Sequence, residues 1–197
     1  MSKKILHLFV SISCMLAMML AGTFLSSPSH AEEILYTRFN IHYQQQFNRT
    51  GTKETLKASY ANYTDPGTGH MILPPNTQVT IGKYKRGFLL IEKSEGKTIY
   101  FEYSKKNMMG MDKEEYINLI TSPEPVSLSG FSELDLQGIE EGKALVGMTK
   151  DGIKTALGYP AKHRTPSLEE NTWIYWRNRY STTGVVFDDT GKVISVR

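Results

Sequence analysis

The sequence predicts an α+β fold, in which a β-rich N-terminal domain precedes a domain of two helices and three strands. Three observations support this prediction. Between residues 32 and 103, short runs of aromatic and β-branched residues alternate with turns that contain Gly or Pro. Residues 112–157 contain short apolar patterns with helical spacing, each preceded by a residue that can cap a helix. Three strand-like runs then follow within residues 172–196.

Residues 1–31 have the pattern of a signal peptide. Lys3 and Lys4 provide a basic start, an uncharged apolar stretch follows, and the small residues Ser29 and Ala31 suit cleavage after Ala31. The apolar stretch is nearly as long as a membrane span requires, so an uncleaved N-terminal anchor is the alternative. We therefore predict an exported protein that is periplasmic, associated with the outer membrane, or held by that anchor.

Cys14 is the only cysteine and lies inside the predicted signal peptide. The residues before it lack the leucine usual three positions ahead of a lipid-bearing cysteine, which argues against a lipoprotein. Cleavage after Ala31 leaves no cysteine, and so excludes disulfides, cysteine nucleophiles and thiolate metal sites. It also lowers the formal net charge from +3 to +1, because Lys3 and Lys4 are lost. No nucleic-acid partner is predicted from so small a charge.

The first predicted domain, residues 32–121, is β-rich and ends in a short helix. Its clearest element is a hairpin, in which a turn containing Gly96 joins residues 88–92 to residues 98–103. Strand alternation places three apolar residues of the second run on one face. These residues are Ile99, Phe101 and Tyr103.

The helix that ends this domain is predicted over residues 111–120. Asp112 is a natural N-cap, and Glu115 three residues later completes a capping box. Residues 122–130 are rich in Ser and contain two prolines, which cannot continue a helix and disfavour helical geometry before them. We predict that this segment is a linker between two domains.

The second predicted domain, residues 131–197, begins with two short helices. Ser132 is the N-cap candidate of the first helix and Thr149 that of the second. Gly158, predicted in a left-handed conformation, and Pro160 end the second helix. Three strands follow, over residues 172–177, 183–188 and 192–196. The turn between the last two contains Asp and Gly, so these strands should pair antiparallel.

Four motifs occur in order along this second domain. They are Gly-Met-Thr-Lys at 147–150, Leu-Gly-Tyr-Pro at 157–160, Trp-Ile-Tyr at 173–175 and Phe-Asp-Asp-Thr-Gly-Lys-Val at 187–193. With these motifs, the last third of the chain resembles the SmpA/OmlA family, the BamE-like proteins of the bacterial outer membrane. The resemblance implies two helices packed on a three-stranded antiparallel sheet.

The same resemblance implies a non-enzymatic accessory role, without cofactor, in the assembly of outer-membrane β-barrel proteins. The partners would then be envelope or outer-membrane proteins, including the β-barrel assembly machinery. The chain departs from the family pattern in three ways: it lacks a convincing lipid-bearing cysteine, its loop over 176–185 is short, and it has an extra N-terminal region. The resemblance therefore predicts the fold of this domain more strongly than it predicts the function.

The segment 73–81, Leu-Pro-Pro-Asn-Thr-Gln-Val-Thr-Ile, resembles the start of a bacterial SH3-like module, in which the chain enters a small barrel after a proline turn. Aromatic residues of this region either line a ligand groove or form the core of a small β-domain, which is the commoner arrangement. They are Tyr36, Phe39, Tyr43, Tyr60 and Tyr63. The alternative function is accordingly a periplasmic protein that binds cell wall or peptide through this domain.

Neither a catalytic nor a metal-ligand pattern stands out in the sequence. His42, His70 and His163 lie in different segments, without a second ligand at the spacing of a metal site. Asp188 and Asp189 are adjacent, but suit the tip of a hairpin. We therefore predict no enzymatic activity, no metal and no cofactor. A hydrolase or other enzyme whose site is assembled from scattered residues is a third alternative.

The predicted partner-binding residues lie on the first strand of the last sheet and in the loop after it. They are Trp173, Tyr175, Trp176, Arg177, Arg179 and Tyr180. Strand alternation puts Trp173 and Tyr175 on one face and Trp176 on the other. An exposed Trp beside Arg and Tyr residues suits a protein partner or a lipid headgroup boundary. Packing of both tryptophans within the domain is the alternative.

Overall fold

A curled eight-stranded sheet dominates residues 33–197, the part of the chain that the computed structural model describes. The predicted signal peptide, with Cys14, lies outside the described residues. In chain order the strands are β1 (Leu35–Thr37), β2 (Ile41–Phe47), β3 (Glu54–Ser59), β4 (His70–Leu73), β5 (Gln78–Tyr84), β6 (Gly87–Glu92), β7 (Thr98–Glu102) and β8 (Thr121–Ser122). Across the sheet they lie in the order β4-β2-β3-β7-β6-β5-β1-β8.

The predicted hairpin is confirmed as the antiparallel pair of β6 and β7, with Gly87 opposite Glu102. Ile99 and Phe101 are both fully buried, as the alternation predicts. The pairing of β3 with β7 is parallel, and the sequence did not predict it. Only Leu56 and Ala58 carry the apolar alternation of β3, which makes its signal weak.

One helix, α1 (Lys113–Ile120), packs against the core face of this sheet. Its predicted capping box is confirmed, because Asp112 Oδ1 accepts from Glu115 N and Glu115 Oε2 accepts from Asp112 N, both at 2.8 Å. Two residues of α1, Tyr116 and Ile120, are buried in the core of the sheet. The other buried aromatic and large aliphatic members of this core are Phe39, Ile41, Tyr43, Leu73, Val79, Phe88, Leu90, Ile99 and Phe101.

The segment predicted as a linker lies against the first sheet. Val126 N donates to Asn76 Oδ1 at 2.7 Å, and Asn76 Nδ2 donates to Val126 O at 2.9 Å. Ser122, at the start of this segment, belongs to β8, which pairs with β1. Residues 33–197 form one compact unit.

Two further helices and a smaller sheet follow, so the α+β class is confirmed. The helices are α2 (Glu133–Glu141) and α3 (Lys150–Leu157), with the predicted N-caps Ser132 and Thr149. The sheet consists of β9 (Thr172–Trp176), β10 (Thr182–Phe187) and β11 (Val193–Val196), in the order β11-β10-β9. Both pairings are antiparallel, which confirms the predicted hairpin of the last two strands.

The C-terminal end of α3 is bonded to β9 and to residues next to strands of the first sheet. The last carbonyls of a helix have no partner within it and need donors from elsewhere. Here the donors and acceptors are Asn40 N to Thr155 O (2.9 Å), Asn40 Nδ2 to Ala156 O (3.0 Å), Asn62 Nδ2 to Leu157 O (2.7 Å) and Tyr175 Oη to Gly158 O (3.1 Å). We call this set of contacts the seam.

The seam explains a prediction that was wrong in detail. Gly158 has a positive φ of 75°, but its ψ of −168° places it outside the left-handed helical region that was predicted. Since Asn40 and Asn62 already satisfy the carbonyls that a left-handed cap would satisfy, the chain is free to leave the helix in another direction. Loss of one partner in such a buried network costs about 1–3 kcal/mol. The seam therefore fixes how the smaller sheet faces the larger one.

Candidate functional site

Two of the predicted partner-binding residues lie in the core of the smaller sheet. Trp173 is 2% exposed and Tyr175 is 1% exposed. The Trp173 indole donates to Leu168 O at 3.2 Å and meets Phe187 edge-on at 4.8 Å between ring centroids. This corrects the prediction, because α2 and α3 cover the face of β9 that carries both residues. A partner could reach neither residue without opening this core.

Trp176 lies on the opposite face of β9 and is half-buried. The Arg164 guanidinium lies 5.5 Å from the Trp176 ring centroid, within the range of a cation–π contact. The His163 ring lies at 6.3 Å. Neighbours in the loop before β9 therefore screen much of this side chain, and Trp176 is a marginal member of any partner surface.

The remaining three residues lie together in the tight turn between β9 and β10. Asn178 Oδ1 accepts from Tyr180 N at 2.9 Å and from Ser181 N at 3.1 Å. Arg177 N donates to Ser181 O at 2.9 Å. These bonds hold the turn in one conformation without using the side chains of Arg179 and Tyr180. Both side chains are exposed, Tyr180 to 88%.

A loop of the N-terminal region holds this turn in place. Thr64 N donates to Trp176 O at 3.0 Å and Asp65 N donates to Arg177 O at 2.9 Å, so the loop extends the free edge of β9. Arg177 Nη2 also lies 2.6 Å from Asp65 Oδ2, and this hydrogen bond lowers the pKa of Asp65. Both side chains are about half exposed, so the ion pair contributes at most about 1 kcal/mol. Arg177 is accordingly an anchor of the turn rather than a free contact.

The turn overhangs the outer face of β2 and β3 and encloses a groove of about 540 Å³, which we call the turn groove. Its floor is polar, because alternate residues of β2 and β3 point away from the core. The polar and aromatic side chains that line it include Gln44, Gln46, Lys57, Ser59, Tyr63, Glu102, Asn178, Arg179 and Tyr180. Of the predicted partner-binding residues, Arg179 and Tyr180 line this groove. Of the aromatic residues considered for a ligand groove, Tyr43 and Tyr63 line it as well.

The amides of the floor are already ordered. Gln46 Nε2 donates to Gln44 Oε1 at 2.8 Å. Gln44 Nε2 in turn donates to Pro66 O at 3.1 Å and to Thr68 O at 2.9 Å. The groove is therefore preformed, which reduces the ordering entropy that a ligand must overcome.

Three charged groups of the groove have no ion-pair partner among residues 33–197. They are the cations Lys57 and Arg179 and the carboxylate of Glu102. Burial raises the pKa of Tyr63, while the charges of Arg179 and Glu102 act on that pKa in opposite directions. The groove therefore presents both signs of charge to a ligand, with a net excess of one positive charge.

His42, one of the residues that line the groove, is hydrogen-bonded to His70, which lies outside it. His42 Nε2 lies 3.0 Å from Ala156 O, so this nitrogen must carry the proton and donate it. His42 Nδ1 then accepts from His70 Nε2 at 2.9 Å. This nitrogen–nitrogen distance is much shorter than the 5.2 Å between ring centroids, so the rings meet edge to edge.

The hydrogen bonds of the histidine pair join the two rings to each other and to Ala156 O. In the described part of the chain, neither ring bonds to a hydroxyl or a carboxylate. No group of three or more His, Cys, Asp or Glu residues within 33–197 is arranged to hold a metal ion. The proximity of His42 and His70 results from the pairing of β2 with β4, for which the spacing along the sequence gives no signal.

A search of residues 33–197 for membrane-spanning helices finds none that is long and apolar enough. Comparison of the chain with family models, curated proteins and solved structures gives no match.

Proposed function

We propose that this chain is a non-enzymatic interaction module of the bacterial cell envelope that binds a partner protein in the turn groove. The observation that carries the proposal is a preformed groove in which an exposed tyrosine, Tyr180, lies with the charges of Lys57, Arg179 and Glu102. Within residues 33–197 these charges have no ion-pair partner. Tyrosine and arginine are enriched in the parts of interfaces that contribute most to binding. Charges without an intramolecular partner are free to pair across an interface.

The proposed envelope location rests on the signal-peptide pattern of residues 1–31. The proposed kinship with the SmpA/OmlA family is supported by the order of elements, since α2 and α3 precede a three-stranded antiparallel sheet. On that kinship, the partner is an outer-membrane protein or a component of the machinery that assembles β-barrels there. The proline turn before β5 supports an SH3-like origin for the N-terminal region.

A second candidate function is favoured by the groove floor. Gln44, Gln46 and Ser59 offer amide and hydroxyl groups from the N-terminal region, as a protein that binds cell wall or peptide would require. In this case the floor would dominate the binding and the turn would contribute little. The two candidates therefore differ in which wall of the same groove matters.

Two double variants distinguish the contribution of the turn to binding from that of the floor. Arg179→Ala with Tyr180→Ala alters the turn, and Gln46→Ala with Lys57→Ala alters the floor. All four side chains are at least half exposed or lie on the polar face, so both variants should retain the wild-type unfolding free energy. Quantitative affinity purification from envelope fractions then compares each variant with the wild type.

The proposal predicts that the turn variant loses at least about tenfold of the specifically enriched partner, which is about 1.4 kcal/mol of binding. Loss in the floor variant alone, with retention of cell-wall fragments by the wild type, would support the second candidate instead. Co-sedimentation with anionic lipid vesicles tests the headgroup alternative in parallel. If both variants keep every wild-type partner, the groove is not the binding site.

A further inference from the structure

The two sheets expose their edges to different extents. In the first sheet, β8 is only two residues long and is followed at once by Pro123, which leaves little edge to pair with. In the second sheet, Gly147 N donates to Val193 O, and Val193 N donates to Met148 O, which covers the start of β11. The edge of β4 combines four strand residues with an adjoining cavity, and three consecutive residues of the strand line that cavity.

The alternation of hydrogen bonds between β2 and β4 shows which backbone groups of β4 have no partner in the sheet. Gln45 N donates to Gly69 O at 2.7 Å. Since alternate residues face the neighbouring strand in an antiparallel pair, Met71 bonds to β2 while His70 and Ile72 face away from it. His70 N is satisfied by a turn bond at 3.1 Å. Among the described residues, Ile72 N–H, Ile72 C=O and His70 C=O have no backbone partner.

A crevice of about 560 Å³ runs beside this edge, and we call it the edge crevice. The consecutive residues His70, Met71 and Ile72 form one wall, so the crevice follows the strand. The other walls are the chain after α2 and the open end of the smaller sheet's core. Their apolar side chains in the crevice include Ala144, Leu157 and Val196.

The charged groups on the rim of the edge crevice are already neutralised. Asp65 pairs with Arg177 at 2.6 Å, and Glu141 pairs with Lys143 at 3.3 Å. The imidazole of His70 is half-buried and donates to His42. A ligand that carries a net charge would have to compete with these pairs for its counter-charge, so the crevice suits an uncharged occupant better.

We infer that the edge crevice binds an extended, uncharged segment of a partner polypeptide, which adds as a strand to β4 and places an apolar side chain against Leu157 and Val196. Within the described chain, Ile72 has a free N–H and a free C=O, and His70, two residues earlier, has a free C=O. This spacing matches that of the bonding groups along an extended peptide backbone. A second copy of this chain is a poorer match. Its β4 edge lies inside its own crevice, whose walls would keep it from the β4 edge of the first copy. The inference is independent of the turn groove, which lies on the outer face of β2 and β3.

Selection from a peptide library tests this inference even though the partner is unidentified. The probe is a displayed library of random nine-residue peptides, selected on the full chain. We expect enriched sequences to carry apolar residues at alternate positions and no net charge. In an NMR titration, the selected peptide should shift the Ile72 amide and slow its hydrogen exchange. The same peptide with one N-methylated central amide should bind at least about tenfold more weakly, because it loses a strand bond.

Two arginine substitutions provide a matched pair of variants. Val196→Arg places a charge in the apolar part of the crevice, whereas Ile194→Arg changes a residue of the same strand that is 55% exposed and lies outside the crevice. We expect V196R to weaken peptide binding about tenfold or more and I194R to leave it unchanged, with equal unfolding midpoints.

Several results would overturn the inference. They are selection of no peptide, equal binding to V196R and the wild type, and a bound peptide that leaves the Ile72 amide unaltered. Protection of that amide in a dimer of the free protein would assign the edge to a second copy instead. Retention of binding by the turn variant R179A/Y180A would show that the crevice acts separately from the turn groove.

Discussion

Acid should destabilise the protein mainly through one buried side chain, His42. This residue is 1% exposed, and its two ring nitrogens are already committed to Ala156 O and to His70 Nε2. A second proton on the His42 ring would have to enter at Nδ1, where it would face the N–H of His70. Burial is the main reason that the pKa of His42 falls from 6.5 to about 4. The bond to Ala156 opposes this shift, and the charge of His70 adds to it.

The direction of the pH effect follows from where the proton binds. Between pH 6.5 and about 4 the unfolded chain protonates His42 and the folded protein does not, so the unfolded state binds more protons. The free energy of unfolding should therefore fall as the pH falls through this window, by about 1.4 kcal/mol per pH unit at most. The full loss is roughly 3 kcal/mol near pH 4, and none of it is present above pH 7. The pKa of His70 is also lowered by burial, which acts in the same direction.

Urea unfolding at a series of pH values between 7 and 4.5 measures this effect. His42→Gln can still donate to Ala156 O but cannot titrate, so it should lose most of the pH dependence above pH 4.5. His163→Gln is the matched control, because His163 is exposed and, in the described part of the chain, its ring bonds only to Asn107 O. It should keep the wild-type dependence. An equal pH slope in H42Q and the wild type would refute the reasoning.

Three further predictions concern the seam, the smaller sheet and the contact between α2 and α3. Asn62→Ala removes three buried hydrogen bonds at a residue with a positive φ of 43°, and should lower the unfolding free energy by roughly 3 kcal/mol in urea titrations. Lys150→Met removes an ammonium that donates to three carbonyls and lies over two aromatic rings; a loss of about 1 kcal/mol, read from tryptophan fluorescence, is expected. Gly152→Ala would drive its Cβ into Asp135 Oδ1, and should cost about 2–3 kcal/mol by calorimetry. Gly130→Ala, with nothing within 4 Å, is the control and should be neutral.

Local features of the fold could be predicted from the sequence because their physics is local. The caps at Asp112, Ser132 and Thr149 each use a side chain within three residues of the backbone group that it satisfies. The hairpin of β6 and β7 likewise follows from alternation around a Gly-containing turn. Such signals do not depend on how distant parts of the chain pack together.

The seam could not be predicted, because its bonds join distant parts of the chain. Asn40 and Asn62 reach carbonyls of α3 that lie 95 to 116 residues further along the sequence. Neither asparagine has a local pattern that distinguishes it from an ordinary turn residue. The contact between His42 and His70 has the same origin, since it requires the register of β2 against β4.

The candidate site was predicted in part, for a related reason. Alternation shows that Trp173 and Tyr175 share a face, but not which face the helices cover. Their assignment to a partner surface was therefore wrong, whereas Arg179 and Tyr180 lie in a turn and are exposed. The groove floor, with Lys57 as one of its cations, could not be found because β3 itself was not predicted.

Site-specific photo-cross-linking in cells tests the central proposal most directly. A photoreactive amino acid in place of Tyr180 should give one dominant protein adduct, because this side chain projects at the mouth of the turn groove. The same amino acid in place of Met109, which is 59% exposed and lies outside the groove, should not give that adduct. An identical set of adducts from both positions, or none from position 180, would contradict the proposal that this protein binds a partner in the turn groove.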